Sequence, residues 1–370
     1  GGDVGADGLE CLAPGVGGET GMTGRVLLLS PSRGLGGGIE RYVETLEWAF
    51  SAEGVTCQRL DLSGPGAGDH ARLLVRARAI LRGDPEPARL VVAHRALLPL
   101  AALLARDSAA RGVSVLCHGS EIWDSRWRPR RNLERRLMRG AGVRVVGVSN
   151  FTAGALMRDC QASVLPPALS RKWFDTLAAA AARRQVRDPG IRLATAFRLA
   201  DWRDKGLPQL VTAVTALERQ DVCLTICGSG EPPSGLLHLV SGYSWCTVRP
   251  GLSDDDLARE LAAADLFALA SQTRSGRRAV GEGFGLVLLE AQAAGTPVIA
   301  PAYGGSREAY VEGVTGIAPA DESAEALTRA LRSLLKDPAR LTWMGRHASQ
   351  WIRQAFAPER YAQLAVRRLL

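Results

Sequence analysis

Two acidic residues, Glu282 and Glu290, bracket the amino end of an expected helix in the segment GEGFGLVLLEAQAAGTPVIAPAYGGSREAYVEGVTG (281–316). Glu282, Gly283, Phe284 and Gly285 stand at its entrance, and the helix is expected to end before Gly295. Main-chain amides at such an entrance, aided by the helix dipole, form an anion site, and glycines let a phosphate approach the backbone. Glu290 follows Glu282 by eight residues. At ~1.5 Å of rise per residue it lies roughly 9 Å along the axis from the first turn. That separation suits a pyrophosphate and the ribose of the same nucleotide, and a carboxylate accepts hydrogen bonds from two vicinal hydroxyls. The plainer reading makes Glu282 a helix-start charge and Glu290 a solvated residue. VLLEAQAA, however, sets Glu290 among apolar neighbours, where an unpartnered carboxylate is costly.

The other polar features are more ambiguous. The formal net charge is +8, and only Lys172, Lys205 and Lys336 are lysines, so 43 of the 46 cations are arginine. With abundant Ala and Gly, this bias points to a GC-rich bacterial genome, and a lysine kept against it marks a need for a compact point charge. His118 directly follows the run VSVLC, and a lone histidine at a strand end is more often structural than functional. His94 also ends an apolar run and suits packing or an acceptor-side place, whereas His70, His238 and His347 have no constellation around them. The run RWRPRRNLERRLMR (126–139) holds seven arginines and one glutamate. It reads either as a solvated helix face or as a surface drawing an anionic acceptor or an acidic membrane. Among seven scattered cysteines, Cys223 and Cys227 share one face of a strand-like run, but no second Cys/His pair supports zinc. Reduced thiols in a cytoplasmic protein are expected. Asp254–Asp256 follows PGLS and reads as a helix cap, so no metal is expected.

These residues need a scaffold. A chain of 370 residues exceeds one hydrophobic core and favours two domains. With 46% apolar and 23% charged residues it is neither wholly disordered nor fibrous. Its longest clean apolar run, Leu97 to Ala105, is far short of the roughly 20 residues of a membrane span. The first 21 residues hold eight glycines and neither Lys nor Arg, unlike a secretory signal. Met22 is a candidate start, and 1–24 are expected to be a flexible tail.

Strand-like runs at 25–30, 55–60, 90–94, 113–118 and 143–149 form a first series; runs at 191–197, 222–228, 245–249, 265–271 and 296–301 form a second. Helical patterns lie between them, at 39–53 and 96–111, then at 207–218, 254–263, 285–294 and 324–336. Such alternation predicts an α/β protein with parallel sheets covered on both faces. The expected division is a Rossmann-like domain over 25–168, a linker over 169–189, and a second Rossmann-like domain over 190–350. A final helix over 351–370 is expected to pack back on the first domain. Ligands of such sheets bind beyond the carboxyl ends of the strands, which places a cleft between the domains.

EGFGLVLLE, followed by AQAAGTPVIA and YGG, resembles the retaining family-4 glycosyltransferases of the GT-B fold. SRGLGGGIERYV (32–43), CHGSEIW (117–123), VSNFTAGAL (148–156), FRLADWRDKG (197–206), CGSGE (227–231) and PGLSDDDL (250–257) fall in that family's order over nearly all of 25–370. The stretch 271–285 is similar to the subgroup holding mycobacterial and corynebacterial mannosyltransferases. The resemblance implies two Rossmann-like domains facing across a cleft and a nucleotide diphosphate-sugar as donor. Arg198 and Lys205 match the cationic pair on the donor diphosphate; the longer ADWRD spacing leaves Arg203 as an alternative. Glu282 would face the donor sugar and Glu290 the ribose. Amides of Gly283, Phe284, Gly285 and Leu286 would meet phosphate or sugar oxygens. Gly37 and Gly38 would let their loop close over the diphosphate, Gly228 and Val248–Gly251 would border the nucleotide, and His118 would lie at the reacting centre. Glu121, Arg126 and Arg128 belong to the acceptor side.

No cofactor, metal or nucleic acid is implied. The acceptor is a small molecule or a lipid-linked one, as in envelope glycolipid assembly or antibiotic glycosylation, and the Arg-rich run suggests peripheral membrane contact. A sugar-nucleotide epimerase or a phosphorylase-like enzyme is an alternative on the same cleft, although no lysine sits where a pyridoxal cofactor needs one. A dinucleotide-dependent oxidoreductase is another, with GLGGGIER a partial glycine fingerprint and Asp61 as its acidic residue.

Overall fold

The computed structural model describes residues 24–31, 37–119, 129–184, 190–276 and 279–370. The expected tail up to residue 23, the acceptor-side residues Glu121, Arg126 and Arg128, and residues 32–36 of the glycine loop lie outside them. Two six-stranded, all-parallel sheets organise the rest. The first contains β1 (Arg25–Ser30), β2 (Thr56–Asp61), β3 (Ala88–Val92), β4 (Ala110–Cys117), β5 (Val143–Gly147) and β6 (Ala162–Val164), in the order β2-β1-β3-β4-β5-β6. The second contains β7 (Ile191–Ala196), β8 (Val222–Gly228), β9 (Cys246–Pro250), β10 (Leu266–Ala268), β11 (Val298–Ile299) and β12 (Gly316–Ile317), in the order β12-β11-β10-β7-β8-β9. Each order reverses beside its first strand, so each sheet has a switch point where loops diverge and leave a crevice.

Helices cover both sheets. They are α1 (Gly38–Ala52), α2 (Ala67–Arg82), α3 (Leu98–Leu104), α4 (Pro129–Met138), α5 (Asn150–Leu156), α6 (Arg171–Ala182) and α7 (Leu207–Thr215), then α8 (Ser234–Val240), α9 (Asp254–Ala263), α10 (Leu286–Ala293), α11 (Ala324–Leu335), α12 (Pro338–Ala355) and α13 (Pro358–Leu369). In α1 the buried positions Tyr42, Val43, Leu46, Ala49 and Phe50 follow the three-to-four-residue rhythm of one helix face. One apolar layer joins the two halves, drawing Leu46 from α1, Trp173 from α6, Leu288 from α10 and Val366 from α13. Burying each such leucine is worth ~1.5–3 kcal/mol.

Several boundaries move. The helix expected over 96–111 ends at Leu104 because Asp107 turns the chain, its carboxylate accepting from the Ala109 amide and from Arg82. The expected linker carries α6, started by Ser170, whose hydroxyl accepts from the Trp173 amide. The single helix expected over 351–370 is two. The chain breaks at Phe356 and Ala357, and Pro358 begins α13, which crosses back to the first sheet, where Ser114 donates to the Leu369 carbonyl at 2.6 Å.

Candidate active site

At the switch point of the second sheet, β7 and β10 are neighbours and the loops after them are stitched together. Gln272 donates its amide to the Asp204 carbonyl at 2.9 Å, and Arg274 pairs with the Asp204 carboxylate. Gly206, with φ of 68°, is a left-handed residue at the start of α7, and a Cβ there would lie 1.8 Å from the Ala270 carbonyl oxygen. Only glycine permits that approach. The preceding residue, Lys205, is thereby aimed at the third loop of the crevice. Its Nζ donates to Glu282 Oε2 at 2.8 Å, and Ser271 donates to the same oxygen at 3.0 Å. The Lys205 and Glu282 side chains are only 27% and 13% exposed, so water screens this pair little.

Glu282 leads into Gly285, left-handed at φ of 85°, which opens α10 without a side-chain cap. The first amides of the helix therefore have no side-chain acceptor at this cap. Phe284 buries its ring 6.2 Å from that of Phe356, leaving its main chain at the helix entrance. The YGG motif supplies close backbone contact: Gly305 donates to the Glu282 carbonyl at 2.9 Å, and a Cβ on Gly304 would stand 2.6 Å from the same oxygen.

The first sheet meets this loop directly. A Cβ on Gly283 would fall 1.7 Å from the His118 carbonyl oxygen, and one on Gly305 would fall 2.6 Å from Ser149 Oγ. His118 Nε2 lies 2.7 Å from the Ala93 carbonyl, which can only accept, so that nitrogen carries a proton. His94 Nδ1 accepts from the Ala96 amide at 3.1 Å, and the two imidazoles stack at 6.1 Å with Tyr42 edge-on to His118. Across the same boundary, the Glu308 carboxylate takes the Asn150 amide, the Asn150 side chain and the Phe151 amide at the start of α5.

A Mycolicibacterium smegmatis protein, the GDP-mannose-dependent alpha-(1-6)-phosphatidylinositol monomannoside mannosyltransferase, is 31% identical over 349 residues, spanning 85% of this chain and 90% of its own. The sequence pattern described as "Glycosyl transferases group 1" matches residues 197–355. The chain belongs to the group 1 glycosyltransferases. A D-inositol 3-phosphate glycosyltransferase of Pseudarthrobacter chlorophenolicus is 34% identical over 198 residues, 45% of each chain. In fold, this glycosyltransferase is similar to sucrose-phosphate synthase from Thermosynechococcus elongatus, with a TM-score of 0.75 at 20% identity, over 93% of this chain and 98% of that one. The two sheets are those of the GT-B architecture, and the transferase relatives do not favour an epimerase. Asp61, the acidic residue of the oxidoreductase reading, is held by Arg59 at 2.7 Å.

Other positions in the glycosyltransferase fall as follows. Arg198 is half-exposed and forms a two-pronged pair with Asp201, at 2.8 and 3.1 Å. Arg203 lies elsewhere, stacked 4.0 Å over the Trp202 ring and beside Gly235 of α8. Gly37 and Gly38 open α1, and no atom of the described residues lies within 4 Å of where their side chains would project. Gly228 has no such space: a Cβ would sit 2.2 Å from the Phe197 carbonyl, so packing of β8 on the turn after β7 accounts for this glycine. Val248 is half-buried on β9 against the second-half core. Leu286 is buried at the first turn of α10. Ser253, not the acidic run expected to cap α9, is the cap, accepting from the Asp256 amide, while Asp254–Asp256 form the first turn.

Glu290 is 4% exposed, so it is not a solvated face residue. Its Oε1 accepts from Trp173 Nε1 at 3.0 Å and lies 3.5 Å from Arg41 Nε. Burial opposes the charge on Arg41, but Glu290 and Asp254 more than offset it and raise its pKa. A cavity of about 250 Å³ opens alongside, walled by Arg41, Ser170, Lys172, Trp173, Ser253 and Leu286. Ser271, Arg41, Trp173 and Glu308 had no sequence signal, since each acquires its place only by contact with a distant segment.

Proposed function

We propose that this glycosyltransferase moves a sugar, with retention, from a nucleoside diphosphate sugar to an acceptor hydroxyl. The observation that carries the reading is the meeting of Lys205, Glu282 and the uncapped start of α10 at the switch point, with His118 immediately across the cleft. The α10 amides and Lys205, with Arg198 once released from Asp201, would bear the diphosphate. Glu282 would hold donor-sugar hydroxyls and Glu290 the ribose, with Gly37 and Gly38 leaving room over the phosphates. In a front-face reaction the C1–O bond to phosphate breaks as the acceptor oxygen bonds C1 on the same face, and the acceptor proton passes to the departing phosphate oxygen. Protein groups then position the reactants and stabilise charge. Because cationic side chains and amides meet the leaving group, transfer is expected to persist in EDTA.

The two relatives differ in their named reactions, but both names contain a phosphorylated inositol. We take GDP-mannose as the first donor to test and an inositol phosphate, free or lipid-borne, as the acceptor class. The outward face of α4, with Arg135, Arg136 and the exposed Leu133, suits work at the cytoplasmic face of an anionic membrane. Among the described residues, no helix is long and apolar enough to cross it. The test is a thermal-shift panel of UDP, GDP, ADP and dTDP, followed by transfer from the radiolabelled sugar nucleotide of the base that binds. Selective stabilisation and a labelled glycoside of retained configuration are expected; an inverted product or no nucleotide binding rejects the reading.

A further inference from the structure

Arg41 belongs to the first half of the molecule, four residues after Gly37, yet among the described residues its guanidinium forms its ion pairs with the second. Nη2 donates to Asp254 Oδ1 at 2.7 Å, at the start of α9, and Nε lies 3.5 Å from Glu290 Oε1. The guanidinium carbon also sits 4.5 Å over the centre of the Trp173 ring, whose own N–H donates to that same Glu290 oxygen. Oε1 thus takes one hydrogen bond and one ion-pair contact, and no hydrogen bond among the described residues reaches Oε2. A carboxylate held by one oxygen presents the other in a fixed direction, the condition for accepting from a diol at little ordering cost.

We propose that Arg41 is a positioning residue for the donor ribose: with Trp173 it fixes Glu290, and because it is carried by α1 it does so only when the first half is seated on the second. This rests on the reading that Glu290 meets the ribose. Arginine suits the place and lysine does not. A planar guanidinium stacks on an indole while serving two acceptors, and a point charge lacks the plane.

Calorimetric titration of the full chain with GDP and UDP, each beside its 2′,3′-dideoxy counterpart, tests it. A site built around the diol discriminates against the analogue lacking it, and the wild type is expected to prefer the ribonucleotide at least about tenfold. Glu290→Gln should bring that ratio near unity. Arg41→Ala should cut it to about threefold or less while changing dideoxynucleotide affinity less than about twofold, and Arg41→Lys should fall between. Melting curves show whether each variant folds, and Arg41→Lys carries the test if the alanine variant does not. If Glu290→Gln keeps the full preference, or neither nucleotide binds the wild type, the ribose reading fails and the inference with it. If Glu290→Gln abolishes the preference but the Arg41 variants retain it, or weaken both nucleotides equally, Arg41 has no positioning role and the ribose reading stands.

Discussion

At the carboxyl end of the second sheet, loops after β7 and β10 bring an ammonium and a hydroxyl each to within 3.0 Å of one carboxylate oxygen. At the corresponding end of the first sheet, loops after β3 and β4 bring two imidazoles whose protons are placed by main-chain partners. Both ends follow from parallel strands with a reversal of order, but one concentrates charge and the other concentrates shape and hydrogen-bond direction. Reaction chemistry that separates charge should therefore lean on the second half, with the first half closing the cleft and orienting the acceptor.

The comparison can be broken in several places. The largest effect is expected from Lys205→Ala, which removes the cationic partner of the mostly buried Glu282 carboxylate. Loss of about 10²–10³ in kcat without loss of fold is expected, measured by transfer assay beside circular dichroism. Gly283→Ala comes next. Its methyl would collide with the His118 carbonyl, so the two ends cannot meet as they do, and about 10²-fold should be lost in kcat/KM. His118→Ala is expected to cost about tenfold in kcat, roughly 1.4 kcal/mol. If it costs more than Lys205→Ala, the division between a charged and a shaping half is wrong.

Smaller effects sharpen the contrast. Glu308→Ala takes the carboxylate from the start of α5 and loosens the contact between halves, so KM for donor should rise several-fold with kcat little changed. Arg203→Ala, which removes a guanidinium stacked on Trp202, should leave kcat/KM within about twofold; Arg198→Ala should not. Equal losses from both arginines would show that the stacked position is abandoned when donor binds.

The sequence was most informative where a pattern is local. Strands β1 and β8 lie where their apolar runs predicted, and α9 keeps both expected ends, because periodicity and caps act over a few residues. It was least informative at the sheet edges. β6 has three residues and β12 two, too short for any rhythm to register. α2 also gave no clear signal, since only Leu73, Ala77 and Leu81 of its sixteen residues are buried. For the site, the acidic pair and the glycine-bounded helix start were readable from EGFGLVLLE alone, and the place of Lys205 followed from resemblance. What holds those residues was not readable.

By its own residue types, the chain determined two series of parallel strands, a glycine-bounded helix start flanked by two carboxylates, and a lysine retained among arginines. Tertiary structure decided which groups meet: Lys205 with Glu282, 77 residues apart, and Glu290 with Trp173, 117 residues apart. The physical reason is that hydrophobic rhythm and capping are set within a few turns of chain. Contact between distant loops depends on which strands become neighbours and on glycines that let one backbone touch another.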